Sequence, residues 1–359
     1  MPALQALLQQ IAEEHRPLTR DEARNALHAI LTGEPDSAND LEISALLTVL
    51  ANRGETVDEL TGFAEAMRAL SVPIPLAPDE RAALLDTCGT GGDGLGTFNI
   101  STGAALVAAA AGAKVAKHGN RGITSKCGSA DVLEAMGVPV ALTPQQSVAC
   151  LRATGFTFLY APTLHPAMKR VQPVRRSLGF RTIFNLAGPL TNPAGAPAQI
   201  MGVYSPAKLE VAAGAMVRLG IRFGRVVHAR SGIDEIALSP TDTVLVRQLS
   251  DHDAPHPFSM LVNPEDAGLS PADLSSLQGG DTPQSNAAIL ESILNGAESG
   301  PKRDVVLLNA AAALEGVGIV SDLREGVAFA GEAIDSGAAR KTLHALREFG
   351  RSIVSTTDR

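Results

Sequence analysis

The sequence predicts an α/β protein: a small N-terminal helical domain, residues 1–75, followed by a larger domain, 76–359, built on a central, mostly parallel sheet. Three observations carry this expectation. Residues 1 to about 75 read as helices, the proline-rich stretch Pro73 to Pro78 breaks that pattern, and beyond it short apolar runs alternate with helical segments. Alternation of that kind buries a parallel sheet beneath its crossover helices.

Within the helical part, Thr19-Arg20-Asp21-Glu22 and Thr56-Val57-Asp58-Glu59 each fit a capping box, in which the threonine and the glutamate satisfy one another's free N–H groups. Leu60, Phe63, Met67 and Leu70 share one helical face. Strands are expected at 83–88, 115–117, 156–160, 200–204, 226–229, 243–247 and 305–308, with a helix over 103–111 whose first turn begins near Ser101. Segments 251–257 and 279–285 read as loops, and no internal repeat is present. Residues 162–193 break the alternation, being rich in Arg, Lys and Pro, and on their composition alone they fit a long basic surface excursion.

Composition excludes several classes. With 359 residues, 45% hydrophobic and 19% charged, the chain can bury a sizeable core as two domains or as one large domain with an appendage. The apolar run 104–111 is too short and too alanine-rich to span a bilayer, so no membrane partner is expected. Residues 1–16 lack the basic start and compact apolar core of a secretory signal, which makes the cytoplasm the expected location. Cys88, Cys127 and Cys150 show no C-x-x-C spacing and read as reduced thiols, small fillers without catalytic duty. A net charge of −8 argues against nucleic acid as a partner, since binding it needs a basic face.

Chemistry concentrates between Asp86 and Asp131. Gly89, Gly91, Gly92, Gly94 and Gly96 follow an apolar segment, so a strand opens into a loop whose backbone N–H groups can cradle phosphate oxygens. Asn99-Ile100-Ser101-Thr102 leads into an alanine-rich helix whose first turn is expected to carry unpaired N–H donors and the positive dipole end. The next strand ends in Lys117-His118-Gly119-Asn120-Arg121 and continues through Ser125-Lys126 to Gly128-Ser129-Ala130-Asp131. Cations thus gather where a parallel sheet presents its carboxyl ends, which suits a polyphosphate-bearing substrate. Gly89 to Gly94 also reads as G-x-G-x-x-G, the dinucleotide fingerprint. That version opens its helix at the glycines and places an acid about 20 residues on, whereas here the helix starts near Ser101 and the second strand ends in Lys117 and His118. No Gly-Lys-Ser/Thr ending supports a P-loop.

These residues resemble the signature blocks of the anthranilate phosphoribosyltransferases of tryptophan biosynthesis. The family's GTGGDG, NIST, KHGNR and GSAD stand here as Gly89 to Gly94, Asn99 to Thr102, Lys117 to Arg121 and Gly128 to Asp131. Further blocks, His165 to Lys169, Pro173 to Arg176, Arg181 to Asn185, Gly188 to Pro193 and Asp234-Glu235, follow in the family's order, so the resemblance spans most of the chain. It implies the nucleoside phosphorylase/phosphoribosyltransferase-like architecture, with 163–193 crossing back to the helical domain as a hinge beside the substrate cleft. It also implies a homodimer, and transfer of the phosphoribosyl group of phosphoribosyl pyrophosphate to the amine of anthranilate.

The same resemblance implies the site. Phosphoribosyl pyrophosphate would be held by Gly89, Gly92, Asp93, Thr97, Asn99, Ile100, Ser101, Thr102, Lys117, His118, Gly119, Asn120, Arg121, Gly122, Ile123, Thr124, Ser125 and Ser129. Ser101, Asp234 and Glu235 would bind Mg2+, two ions per active site, and Gly89, Asn120 and Arg175 would hold anthranilate. Hard oxygen ligands suit magnesium, and a guanidinium can meet the anthranilate carboxylate with two parallel hydrogen bonds. As the C1–oxygen bond breaks, negative charge grows on pyrophosphate, where one well-placed donor contributes about 3 kcal/mol. No residue is assigned as acid or base, because the aromatic amine is barely basic and can attack without losing a proton first; His118 and His165 read as polar groups that shape the pocket.

Two departures stand out. The family's usual Ser-Val-Ser-Ser is replaced by Gly122-Ile123-Thr124-Ser125, and Cys127 stands where serine is frequent, changes that bear on affinity more than on reaction type. A pyrimidine nucleoside phosphorylase would share the lysine–histidine–glycine turn but diverge after it. A non-catalytic, nucleic-acid-binding relative would carry damaged motifs and a basic surface.

Overall fold

The structure, a computed structural model, describes residues 3–33, 38–122, 126–248 and 255–357. Its centre is a sheet of seven strands: β1 (Leu84–Gly89), β2 (Lys114–Gly119), β3 (Phe156–Tyr160), β4 (Ala198–Gly202), β5 (Phe223–Ala229), β6 (Thr241–Arg247) and β7 (His256–Val262), in the order β3-β2-β1-β4-β5-β6-β7. The first five pair in parallel, and β6 and β7 are added by antiparallel pairing, β6 to β5 and β7 to β6. The chain winds outward from β1 through β2 to β3, then returns to place β4 on the other side of β1. Connections leaving β1 and β4 therefore diverge, and a crevice opens at their carboxyl ends.

Both faces of the sheet are covered. One carries helices Ile100–Ala110, Pro301–Gly316 and Leu323–Asp335 over a core that includes Val115, Ile200 and Val227. Gly103 lets the first of these approach helices Pro283–Leu294 and Pro301–Gly316 closely, because a Cβ there would sit 2.8 Å from Leu290 of the former and 3.3 Å from Val306 of the latter. The other face packs helix Leu209–Arg218 together with the N-terminal helices Ala3–Ala12, Arg20–Thr32, Asp40–Arg53 and Val57–Ala69. Both expected capping boxes form, and Glu59 additionally accepts from the Leu18 N–H at 2.9 Å. Leu60, Phe63 and Met67 are buried as their spacing requires. No helix among the described residues is long and apolar enough to cross a membrane.

The basic segment after residue 161 is no surface excursion. It folds into short helices, Gln172–Leu178 and Ile183–Ala187 among them, whose Val174, Ile183, Phe184 and Leu190 share a core with Leu27, Leu46 and Phe63 of the N-terminal helices. Arg68 adds a hydrogen bond of 2.7 Å from its Nε to the Leu190 carbonyl.

Three expectations about elements are corrected. Residues 305–308 form no strand; they lie inside helix Pro301–Gly316, started by Pro301 and Asp304 and carried on by Asn309 to Leu314. Buried on all sides, that helix shows no polar face, and an uninterrupted apolar run cannot separate buried helix from buried strand. β7 takes in His256 and Pro257, expected as the end of a loop; Pro257 is tolerated because β7 is an edge strand with no neighbour on one side among the described residues. Residues 251–254 of that expected loop lie outside the described residues. The loop expected over 279–285 ends early, since Thr282 caps helix Pro283–Leu294.

Candidate active site

The glycine loop leaves β1 at the crevice. Gly91, Gly92, Gly94 and Gly96 have φ of +63°, +78°, +75° and +71°, left-handed conformations that other residues adopt only with strain. That geometry accounts for the density of glycine in the sequence. Thr90 N–H donates to the Gly202 carbonyl at 2.9 Å and Gly91 N–H to Asp234 Oδ2 at 2.8 Å, whereas the N–H groups of Gly92, Asp93 and Gly94 meet no protein acceptor among the described residues. The loop thus offers a short arc of unspent donors.

Asp234 and Glu235, on the turn after β5, close the far side of this arc. A Cβ on Gly89 would lie 2.8 Å from Asp234 Oδ2, and one on Gly202 only 1.6 Å from the Asp234 carbonyl oxygen, so the turn presses directly on the ends of β1 and β4. Glu235 Oε1 accepts the Ser101 N–H at 3.1 Å. The expectation of unpaired donors at this helix start is corrected there, because the protein's own carboxylate already occupies that favourable position. Neither acid has an ion-pair partner among the described residues. Burial first, then Asp93 beside Asp234 and Asp234 beside Glu235, raise both carboxyl pKa values.

Two half-buried carboxylates in mutual repulsion are relieved by a proton or by a bound cation. With the Ser101 hydroxyl next to them they present oxygen donors only, and no cluster of three or more His, Cys, Asp or Glu side chains fit to hold a metal occurs among the described residues. This set fits magnesium, which takes few carboxylates and completes its shell with water and substrate phosphates.

β2 supplies the next layer. Lys117 is buried, its Nζ donating to the Thr87 carbonyl and lying 3.5 Å from Ser101 Oγ; burial lowers its pKa while Asp86 and the two acids oppose that shift. The His118 N–H donates to the buried Asp86 Oδ1 at 3.0 Å, and its ring lies 5.0 Å from that of His165. Burial lowers the pKa of His118 well below the usual imidazole value, so the ring is neutral at neutral pH.

Beyond β2 the chain doubles back. Asp131 Oδ2 accepts N–H groups from Gly122 and Gly128, each at 2.9 Å, pinning both ends of the intervening loop. A Cβ on Gly119 would sit 2.4 Å from Ser129 Oγ, and Ser129 Oγ donates to the Asn120 carbonyl at 3.3 Å. Arg121 is engaged by Asp131 at 2.9 Å and Glu134 at 2.8 Å, while Asn120 Oδ1 accepts from the Arg121 N–H. Asn99 Nδ2 reaches the Cys127 carbonyl at 3.1 Å and ties the two loops together. Ile100 and Thr102 are buried, and Thr97 pairs with Gln278. Ile123, Thr124 and Ser125 lie outside the described residues.

Arg175 stands apart from its neighbours. Its guanidinium stacks on Phe184 at 5.1 Å, burial lowers its pKa, and no carboxylate pairs with it among the described residues. Arg176 bonds instead with Gln172, and Arg181 lies 4.5 Å over Tyr204 while donating to the Gly92 carbonyl. Arg181 therefore brings the Arg175 segment onto the glycine loop.

Sequence reasoning missed Gly202, Asp86, the loop contact of Arg181, and the segment after Leu277. In that segment Gly279 N–H donates to the Gly96 carbonyl at 2.8 Å and Gln278 Nε2 to the Leu95 carbonyl at 3.1 Å, bracing the glycine loop from outside. Only Gly202, a glycine inside the apolar run 200–204, left a signal, since glycine within a strand marks a close approach of another backbone.

Comparison with known proteins places the chain by sequence and by overall fold. Residues 81–340 match the a/b domain of a glycosyl transferase family and residues 3–71 its helical bundle domain. The chain is 50% identical to anthranilate phosphoribosyltransferase of Symbiobacterium thermophilum, over 96% of this chain and 97% of that one. The crystal structure of the Thermus thermophilus anthranilate phosphoribosyltransferase superimposes with a TM-score of 0.88 at 41% identity, covering 98% and 100% of the two chains. The Saccharomyces cerevisiae enzyme, solved in complex with PRPP and Mg, gives a TM-score of 0.85 at 27% identity, covering 97% and 98%.

Proposed function

The chain belongs to the anthranilate phosphoribosyltransferase family, and on that premise we propose how its residues carry the family's reaction: transfer of the phosphoribosyl group of 5-phosphoribosyl 1-pyrophosphate to the amine of anthranilate, with release of pyrophosphate. It is a pentosyl-transferring glycosyltransferase of tryptophan biosynthesis. The observation that carries the assignment of residues is a division of charge. Uncompensated carboxylates and unspent loop N–H groups meet at the ends of β1 and β5, and an uncompensated, partly buried arginine sits on the segment that Arg181 ties to the same loop.

Phosphoribosyl pyrophosphate lies along Gly89, Gly92, Asp93, Thr97 and Asn99 to Thr102, with Lys117 to Gly122 and Ser129 on its other side; Ile123, Thr124 and Ser125, outside the described residues, join the set by resemblance alone. Donors fixed at Gly92 to Gly94 face the pyrophosphate as charge grows on it, and they need no reorganisation at that moment. Asp234, Glu235 and Ser101 hold magnesium, two ions per site in our reading, which supplies electrostatic stabilisation of the leaving group. Its use here is supported by the magnesium in the yeast complex and by the oxygen donor set. Gly89, Asn120 and Arg175 orient anthranilate so that its amine attacks C1 as the C1–oxygen bond breaks. His118, neutral and buried, shapes the pocket and takes no proton. The segment 163–193 serves as the hinge between domains 1–75 and 76–359. The protein works as a homodimer, for which Leu41, 82% exposed on an N-terminal helix, offers an apolar contact.

Replacing Arg175 tests the division. Arg175→Ala is expected to lose about 2–3 kcal/mol, roughly thirty- to two-hundred-fold in kcat/KM for anthranilate, with the KM for phosphoribosyl pyrophosphate little changed. Lysine restores only part, since a point charge cannot reproduce the guanidinium fork. Aniline, without the carboxylate, is used equally poorly by wild type and variant. Weakened phosphoribosyl pyrophosphate binding with anthranilate unaffected would place Arg175 in the other half of the site.

A further inference from the structure

The turn that carries Asp234 and Glu235 belongs to no strand or helix, so its position must be imposed by contacts. On one side the Asp234 backbone rests on Gly202, where a Cβ would approach its carbonyl oxygen to 1.6 Å. On the other side stands Asn309. Its Oδ1 accepts the Ile236 N–H at 3.1 Å, and its Nδ2 donates to the Ile236 carbonyl at 2.7 Å and to the Val305 carbonyl at 2.8 Å.

Asn309 is chemically out of place in its helix. It is 3% exposed, and Val305, Val306, Leu307, Leu308 and Ala310 around it are apolar and buried. An amide there is unfavourable unless its hydrogen bonds are made, and here they go mainly to one residue, Ile236. The helix itself asks for nothing polar at this position, where its neighbours are apolar and buried. What does require an amide is the backbone of residue 236, which needs a donor and an acceptor from a single side chain. Aspartate lacks the donor and leucine lacks both.

We propose that Asn309 is a positioning residue for the carboxylate pair. By pairing with both backbone groups of Ile236 it fixes the residue next to Glu235 and holds the turn against Gly202, so that the two carboxylates are set before any cation arrives. This rests on the reading of Asp234 and Glu235 as magnesium ligands.

The test uses the full-length protein with Asn309→Asp, Asn309→Ser as a second variant should the first not fold, and Val305→Ala as a control that removes packing from the same helix. Amide hydrogen exchange over 233–237 is measured without metal, and the magnesium concentration for half-maximal turnover is measured separately. We expect the Asn309 variants to exchange at least about ten-fold faster over that stretch and to need about ten-fold more magnesium, the effect usual for a residue behind a metal ligand. Their KM for anthranilate should stay within about two-fold of wild type. Val305→Ala should lower the melting temperature and move neither readout. Faster exchange with unchanged magnesium dependence would reduce Asn309 to a structural role, and unchanged exchange would remove the clamp altogether; either overturns the proposal. If Asp234→Asn with Glu235→Gln keeps wild-type magnesium dependence, the underlying reading falls and takes this role with it. Loss of magnesium dependence in that double variant alone would keep the reading and reject Asn309.

Discussion

Asp234 and Glu235 repel each other in a half-buried corner, while the nearest ammonium, Lys117, is turned to the Thr87 carbonyl. Substituting Asp234→Asn with Glu235→Gln preserves size and removes charge, so most turnover should disappear and the remainder should respond little to magnesium. Titrating magnesium against the double variant checks this; wild-type dependence would contradict the ligand assignment. His165 makes a second prediction, on stability. Burial lowers its pKa from 6.5 to about 4. Above pH 6.5 neither the folded nor the unfolded chain binds this proton, and between 6.5 and about 4 only the unfolded chain does, so its contribution is complete above pH 6.5 and is lost as pH falls toward 4. In urea titrations, His165→Gln should lose about 2 kcal/mol less than wild type between about pH 7 and about pH 4.5. An equal loss in both would mean that His165 takes up its proton in the folded state. At this scale the clustered glycines and hydroxyls were readable from the chain itself, whereas the pair Asp234-Glu235 was singled out only by the family resemblance, because adjacent acids are common on solvated surfaces. What separates Arg175 from Arg176 and Arg181 was not readable: it lies in a stacked phenylalanine, a glutamine and a loop carbonyl, contacts that only folding creates.

The glycine loop works as one element, held at Thr90 by Gly202, at Gly91 by Asp234 and at Gly96 by Gly279. Gly92 adopts a φ of +78°, which valine takes only at a strain of about 1–3 kcal/mol. Gly92→Val should therefore disturb the donor arc and raise the KM for phosphoribosyl pyrophosphate at least about ten-fold, leaving the KM for anthranilate within about two-fold. An unchanged phosphoribosyl pyrophosphate KM in a folded variant would contradict the placement of that substrate. The parallel strands were legible as short apolar runs alternating with helical segments. Helix Pro301–Gly316 was misread as a strand because full burial erased its polar face. β7 escaped notice because His256 and Pro257 look like loop residues, and only its place at the sheet edge makes proline acceptable. The brace at Gln278 could not be foreseen, since pairing with a distant loop leaves no local periodicity.

Over the whole molecule, the chain returns from β3 across β1 to β4, which opens the crevice and lets the segment after residue 161 rejoin the N-terminal helices. On the proposed reading, the two substrates are served by separate parts of one fold: the carboxyl ends of the central strands for phosphate and metal, and a helical return segment for the aromatic acid. The alternation of strands and helices indicated the sheet, but not its order, and strand order is what brings Gly89, Gly202 and Asp234 together. The most direct test is anthranilate fluorescence in the presence of purified protein and phosphoribosyl pyrophosphate, run with and without magnesium, beside a reaction offering thymidine and phosphate. We expect fluorescence to fall only with magnesium present and thymidine to remain intact. Phosphorolysis of thymidine with anthranilate untouched would contradict the account at its centre.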